Sequence, residues 1–346
     1  MMSKKVIVAM SGGVDSSVAA YLLIKEGYSC TGATMRLYEQ EGSESNSIRD
    51  AKNVAERLGM DYYVFDFRNE FKEKVIENFV KTYEAGGTPN PCIVCNRYLK
   101  FKMMLDEAEK LFADYVATGH YARISCENGW YYLKKAADCD KDQSYVLYSL
   151  TQHQLKHTLF PLGEYTKSQI REIASEQGFL NANKKDSQDI CFVPDGDYAS
   201  FIESYRGKVC PSGDFIDKDG NVLGRHNGII RYTVGQRKGL RIAFGKPVYV
   251  VDKLADKNAV VLGDNDELFT RELIASDFNW LIPDPDSEIK CLAKVRYNMK
   301  EQPATAYKIS ADKVKIVFDV SQRAVTKGQS AVLYIGDTVI GGGIID

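Results

Sequence analysis

The chain has 346 residues, with 45 Lys+Arg against 47 Asp+Glu and a formal net charge of -2; at roughly 100–200 residues per domain that is room for two or three domains. Its 44% apolar and 27% charged residues are those of an ordinary globular chain, which excludes intrinsic disorder, and no apolar run reaches the length of a membrane span. The near-neutral balance argues at first sight against a nucleic-acid partner, a point that local charge decides, because net charge averages over faces.

The N-terminus is a poor secretion signal, since its apolar stretch stops at Ser11-Gly12-Gly13, so a cytoplasmic protein with no membrane partner is expected. Val6 to Met10 predicts a buried parallel strand. Val14, Val18, Ala19, Leu22 and Leu23 fall on one helix face, and Gly27 ends that helix. A strand over 30–35, a helix over 48–58 and a strand over 62–67 follow, with a polar stretch over 38–47 between them read as a mobile loop. Helices over 71–83 and 99–112 and a buried strand over 115–117 continue the alternation. Alternating strands and helices predict a parallel sheet covered on both faces, an α/β fold. Near residue 200 the texture changes. Residues 207–224 are turn-rich, and short β-like runs recur at 229–234, 248–251, 259–262, 292–295, 314–318 and 331–334. The expected division is an α/β domain over 1–205 and two small β-rich domains over 206–270 and 271–346.

Ser11-Gly12-Gly13-Val14-Asp15-Ser16-Ser17 lies between the first strand and the first helix. In that context a Gly-rich motif has physical meaning. Its glycines let the backbone approach a phosphate, and the helix N-terminus supplies unpaired N–H groups and partial positive charge. Asp15 beside a polyanion calls for Mg²⁺ between them. No Gly-Lys-Ser/Thr follows, so this is not a Walker A site. The bland alternative is a capped strand–helix turn. The segment resembles the SGGxDS loop of the PP-loop ATP pyrophosphatases, which cleave ATP between the α and β phosphates and adenylate an oxygen. The loop alone does not choose among the synthetases and tRNA thiolases of that superfamily.

The eight cysteines are too few in a chain this long for a secreted disulfide scaffold, so reactive or metal-binding thiols are the better reading. Cys92 and Cys95 stand three apart in Thr88-Pro89-Asn90-Pro91-Cys92-Ile93-Val94-Cys95-Asn96, a spacing that fits metal ligation, redox exchange or a reactive thiol with a neighbour. Cys191 stands in Asp186-Ser187-Gln188-Asp189-Ile190-Cys191-Phe192. Both segments resemble motifs of the tRNA-specific 2-thiouridylases. So do 117–121, Lys141-Asp142-Gln143-Ser144-Tyr145, 232–240 and Gly328-Gln329, so that the resemblance spans nearly the whole chain.

That resemblance implies a PP-loop domain followed by two small β-rich domains, the last a β-barrel. It also implies ATP-dependent 2-thiolation of the wobble uridine of tRNA. Cys191 would carry sulfur as a persulfide, delivered by a cysteine desulfurase or a sulfur-relay protein. Cys95 would attack that persulfide or assist its attack at C2, ending as a Cys95–Cys191 disulfide. Thiol exchange needs thiolates, so both sulfurs are expected where their pKa is lowered. Family members often carry Asp where Cys92 stands, an acid/base candidate. The thiol here leaves either that role or a third ligand, with Cys95 and Cys191, for a [4Fe–4S] cluster. Cys30, Cys126, Cys139, Cys210 and Cys291 have no such context and are left as inert thiols.

By the same resemblance, Ala9, Met10, Ser11, Gly12, Gly13, Val14, Asp15 and Ser16 wrap the phosphates of ATP. Met35 lies by the adenine or ribose, and Gly119 lets backbone approach the nucleotide. Asn90, Pro91, Cys92, Lys141, Asp142, Gln143, Arg296 and Tyr297 lie near the target base, and His120 and Gln329 contact the tRNA. Residues 220–251 contain no acid but carry Arg225, Arg231, Arg237, Lys238, Arg241 and Lys246, six cations that can neutralise phosphates, with Tyr232 able to stack. Chemistry at C2 of a stacked base requires taking the base out of its stack. Two rivals stay open: another PP-loop enzyme acting on a small molecule, and a non-catalytic iron–sulfur RNA-binding protein.

Overall fold

The computed structural model describes residues 3–38, 46–179, 190–240 and 245–346. Its first strand, β1 (Lys5–Ala9), is apolar at consecutive positions. Successive side chains of a strand point to opposite faces, so such a strand must be covered on both sides. Val6 and Val8 accordingly enter one core, with α1 (Val14–Lys25) and α2 (Asn46–Arg57). Ile7 enters another, with Met104, Leu105 and Ala108 of α5 (Met104–Lys110).

β2 (Ser29–Arg36), β3 (Tyr62–Asp66), β4 (Tyr115–Thr118) and the short β7 (Thr158–Leu159) complete a sheet of order β3-β2-β1-β4-β7, with every neighbour parallel. The order reverses between β1 and β4, which is where doubly wound sheets bind ligands beyond the carboxyl ends of their strands. The loop after β1 and the turn after β4 both open there. The expected helix over 71–83 is present as a wide π turn, Phe71–Ile76, running into α3 (Glu77–Glu84). The helix expected from residue 99 starts earlier, at α4 (Pro91–Cys95), and runs without a break through Asn96–Met103 into α5.

Of the stretch read as a loop over 38–47, residues 39–45 lie outside the described residues, and Asn46 and Ser47 already belong to α2. One expected strand is absent. Over 229–234 the chain makes a 3₁₀ turn at Ile229–Arg231, because Ile229 and Ile230 are both buried and a strand would point one of them outward.

The second sheet, of order β10-β11-β8-β9, is built from β8 (Gly213–Ile216), β9 (Val222–His226), β10 (Tyr249–Leu254) and β11 (Ala259–Gly263). It shares its core with the first domain: Phe215, Val250 and Val260 pack in one cluster with Phe71, Phe79 and Cys95. The third unit is a closed six-stranded barrel. Its strands are β12 (Phe269–Trp280), β13 (Glu288–Lys294), β14 (Gln302–Lys308), β15 (Val314–Arg323), β16 (Ser330–Ile335) and β17 (Thr338–Ile345), closed by β12 against β17.

A hairpin from the first domain, β5 (Arg123–Glu127) and β6 (Trp130–Lys134), attaches to the barrel where Lys134 pairs Thr338. The junction is polar. Asn279 Nδ2 donates to Tyr148 O at 2.7 Å and Leu150 O at 2.9 Å, and Tyr145 Oη donates to Ser330 O at 2.8 Å. No helix among the described residues is long and apolar enough to cross a membrane.

Asn279→Ala leaves two carbonyls at this junction without their donor. It is expected to destabilise the protein by about 1–3 kcal/mol, read as a melting midpoint lowered by a few degrees with the ATP site unaffected.

Candidate functional site

The loop after β1 is shaped for an anion. Gly12 takes φ +71, and Gly13 begins α1 with no side chain capping the helix, so the first-turn N–H groups point out of it. Ser16 Oγ accepts from Ser11 N at 3.2 Å and donates to Gly13 O at 3.1 Å, and Ser17 Oγ donates to Gly13 O at 3.0 Å. The side chains of Met10, Val14 and Ser16 are buried, so these three offer backbone to a ligand. Ala9 and Met35 are half-buried at the ends of β1 and β2. Gly119 follows β4, where a Cβ would lie 2.8 Å from Asp15 C and Ser16 N. The absent side chain therefore lets the β4 turn close on the phosphate loop itself.

Asp15 is already occupied. Lys167 Nζ reaches both its oxygens at 2.8 Å, and Tyr121 Oη donates to Oδ1 at 2.8 Å. Lys167 is buried at the start of α6 (Lys167–Glu176), behind a Thr166–Gln169 capping box. Tyr121 also exchanges backbone bonds with Gln143, whose Oε1 accepts from Tyr121 N at 2.9 Å and whose N donates to Tyr121 O at 2.8 Å. The phosphate loop is thus joined to the 141–145 segment through one tyrosine. Sequence reading missed Lys167 and Tyr121. The available signal was a lysine directly after an N-cap threonine, an unfavourable place for a cation unless an anion faces it.

Cys92, Cys95 and Cys191 lie within electrostatic reach of one another. Asn90 precedes α4, Pro91 opens it, and Cys92 and Cys95 are one turn apart. Cys92 is exposed and Cys95 is buried. Cys191 is exposed at its backbone turn, and Phe192 behind it is buried edge-on against Phe71 (5.6 Å) and Phe79 (5.1 Å), which fixes where the thiol stands. The Cys95 thiol is pushed up to about 12 by burial, against a lowering by Lys100, with Cys191 and Cys92 close enough to add to the rise. Cys191 is raised as well, by burial first and then by Cys92, with Lys100 opposing. The expectation of lowered pKa values is therefore overturned for the resting protein, because apolar packing outweighs the Lys100 charge. The preceding motif residues Asp186, Ser187, Gln188 and Asp189 lie outside the described residues.

The base-proximal candidates divide. Tyr297 is raised by burial first and then by the charges of Asp142 and Cys92, so its phenol lies within electrostatic reach of both. Lys294 Nζ lies over the Tyr297 and Tyr145 rings at 5.6 and 5.7 Å. Asp142 is spent on the chain, accepting from Ala136 N, Ser144 N and Ser144 Oγ. Lys141 is half-buried and already partnered. Arg296 turns away from Tyr297 and donates to Ala324 O and Thr326 Oγ1.

His120 is buried between Phe101 and Phe160, bonded to Thr118 Oγ1 at 2.8 Å and held well below its usual pKa by burial. It is a neutral core residue here, not a surface reaching for phosphate. Gln329 Nε2 donates to Thr88 O (2.9 Å) and Pro89 O (3.3 Å), so it holds the turn before Asn90.

The acid-free stretch is also corrected. Arg225 pairs with Asp214, Arg231 with Glu203 and Lys246 with Asp264, all acids outside the stretch. Tyr232 is buried against Phe215 and His226 and cannot stack on a base. Arg237 and Lys238 stay exposed on a turn anchored by buried Leu240, and Arg241 lies outside the described residues. Among the described residues no group of three or more His, Cys, Asp or Glu is placed to hold a metal ion.

Three family models match the chain: a tRNA methyl transferase HUP domain over residues 4–195, a tRNA methyl transferase PRC-barrel domain over 199–264 and an aminomethyltransferase beta-barrel domain over 270–345. The tRNA-specific 2-thiouridylase MnmA of Clostridioides difficile is 51% identical, over 100% of this chain and 99% of its own. That of Clostridium acetobutylicum is 52% identical, over 99% of this chain and 100% of its own. Among solved structures, a 4-thiouridine synthetase–RNA complex with bound ATP overlays 59% of this chain and 50% of its own at TM-score 0.41 and 18% identity, too loose a likeness to carry an argument.

Lys167→Met leaves the Asp15 carboxylate without its cation beside the phosphate loop. ATP–pyrophosphate exchange is expected to fall by about tenfold or more, the effect of one lost charge-assisted contact, with tRNA affinity in a filter-binding assay unchanged.

Proposed function

We propose that this chain, which belongs to the tRNA-specific 2-thiouridylase family, uses Cys191 as its sulfur carrier and Cys95 as the thiol that resolves the transfer. It is a tRNA-uridine 2-sulfurtransferase that uses ATP. The observation that carries the assignment of roles is the contrast in exposure: Cys191 is exposed and Cys95 is buried, yet the charge of Cys191 is among those that raise the Cys95 thiol. A sulfur donor from solution reaches the exposed thiol, whereas a buried thiol serves an internal partner. The family models are described in terms of methyl transfer, but such chemistry gives no use to Cys95 and Cys191 as a thiol pair.

The uridine O2 attacks the α-phosphorus of ATP, and pyrophosphate leaves. The terminal sulfur of the Cys191 persulfide adds at C2 and AMP departs, leaving the base joined to Cys191 by a disulfide. The Cys95 sulfur attacks Cys191 Sγ, which frees 2-thiouridine and closes the Cys95–Cys191 bond. An external thiol then reduces it. Ser11, Gly12 and Gly13 offer backbone to the phosphates, and Lys167 is the cation at hand for them. Mg²⁺ would enter with ATP, and Asp15 could ligate it only after releasing Lys167. Tyr297 and Cys92 border the place of the base. Were a [4Fe–4S] cluster bound, Cys92, Cys95 and Cys191 would be the thiols to hold it, one iron each, and the steps above do not run through it.

Arg237 and Lys238 are the exposed cations offered to the tRNA backbone, and the substrate base is the wobble uridine. The sulfur donor is a cysteine desulfurase or a relay protein, and the setting is the cytoplasm. The domain limits proposed are 1–205, 206–270 and 271–346, which the extents of the three family matches support.

Alanine at Cys95 or Cys191 is expected to abolish thiouridine formation, measured by mass spectrometry of digested tRNA, while tRNA binding is kept. A single turnover without reductant should leave a Cys95–Cys191 disulfide in the tryptic map. Full activity of either variant, or stoichiometric iron with a cluster absorption spectrum in the anaerobic protein, sinks this reading.

A further inference from the structure

Between α3 and α4 the chain crosses a short strap, residues 86–90, that delivers Pro91 to Cys95. Gly86 N and Gly87 N bond back to α3, while the strap's carbonyls at Gly87, Thr88 and Pro89 and the Thr88 N–H bond to the other two domains. Lys253 Nζ, from β10, donates to Gly87 O at 3.1 Å. Thr88 N donates to Lys327 O at 2.8 Å, and Gln329 takes the next two carbonyls. The approach is close: a Cβ on Gly87 would lie 3.2 Å from Lys327 O, and one on Gly328 would lie 3.2 Å from Thr88 N. Thr88 Oγ1 is buried with no partner among the described residues, so the strap's own side chain does not hold it.

Lys253 is the unexpected member. It is 6% exposed, and no carboxylate makes an ion pair with it among the described residues. Its ammonium lies 5.7 Å from the Tyr83 ring on α3. Burying an ammonium is expensive, and a lone carbonyl repays little of that. A methionine would pack there at less cost, so stability does not account for the residue.

We propose that Lys253 is a positioning residue for sulfur transfer, its ammonium fixing Gly87 O so that the strap presents Cys92 and Cys95 to the base site. The inference rests on the assignment of Cys95 above. The titratable groups facing Lys253 are Asp252 on its own strand and Tyr83 on α3, and burial pushes the Tyr83 phenol up. Burial lowers the Lys253 amine from 10.5 to about 8, with Asp252 opposing. A charged donor holds a carbonyl more strongly than a neutral amine. Positioning is therefore lost as pH rises through about 8. The stability effect has the opposite sign. Between about 8 and 10.5 the unfolded chain keeps a proton that the folded chain has released, so this group makes the protein more stable as pH rises. A rate that falls while stability climbs separates positioning from a merely structural part.

The test uses the full-length enzyme, with single-turnover thiouridine formation at saturating ATP and tRNA followed across pH. Lys253→Met should lose about tenfold or more in rate at neutral pH, with tRNA affinity unchanged and no alkaline limb of this origin. Lys253→Arg, which stays charged throughout, should restore most of the rate and remove the limb. Wild-type rate in Lys253→Met, or the wild-type alkaline limb in Lys253→Arg, overturns the proposal. If the methionine variant does not fold, the arginine profile decides alone. Thiolation by Cys95→Ala would instead remove the cysteine assignment, a separate result.

Discussion

The contact between Asp15 and Lys167 is the one on which the arrangement of both substrate ends depends. Lys167 enters at the first turn of α6, where the helix dipole disfavours a cation. Its burial is tolerable because a carboxylate meets it bidentately at 2.8 Å. That carboxylate belongs to the phosphate loop, so the loop is fixed from α6 as well as from its own helix. Tyr121 adds a third point, and through its backbone the restraint reaches Gln143 and the segment that borders Tyr297 and Cys92. Whatever competes for Asp15 is therefore felt at Tyr121 and Gln143 without any long relay.

The thiols obey a second constraint. Cys95 packs with Phe71, Phe79 and Leu99, and that packing raises its pKa. A thiol kept protonated is protected from adventitious oxidation. It becomes useful only when a partner sulfur is presented at close range, since exchange proceeds by direct attack of one sulfur on the other. Lys100 opposes the rise at both Cys95 and Cys191, so a single cation biases both sulfurs toward the thiolate. The site therefore holds its reactivity low at rest and has one charge in place for when the surroundings change.

Much of this was legible in the residues. The strand–loop–helix from Val6 to Lys25 follows directly from a two-sided apolar run, a Gly-rich break and a helix-period face. The trio of cysteines was visible from spacing and motif alone. What was hidden depended on partners distant in sequence. Arg225, Arg231 and Lys246 look free along the chain, yet acids from neighbouring elements, Asp214, Glu203 and Asp264, neutralise them. His120 and Tyr232 look like surface aromatics until their neighbours Phe101, Phe160, Phe215 and His226 are known. The barrel strands β12 and β17 escape a periodicity reading. β12 has a register shift, and the glycines of β17 are small because Phe278 and Tyr148 lie against them.

Net charge was a poor guide to the partner for a related reason. The six cations of residues 220–251 are not a polybasic patch: three are committed to ion pairs, and the exposed pair Arg237–Lys238 sits on a turn whose Leu240 is anchored in the core shared with Cys95. Arg225 and Lys246 stay solvent-exposed within their ion pairs, so the charge this stretch offers a polyanion is reduced rather than absent. A polyanion as large as a tRNA can engage surfaces from several domains at once. That requires the domains to hold a fixed relation, and here they do so through the same segment that carries the nucleophile turn. The central domain grips Gly87, the barrel grips Thr88 and Pro89, and α4 begins immediately after. In such an arrangement the placement of the two β domains and the placement of the turn on which Cys92 and Cys95 stand are a single geometric condition, because the strap before α4 is bonded to both.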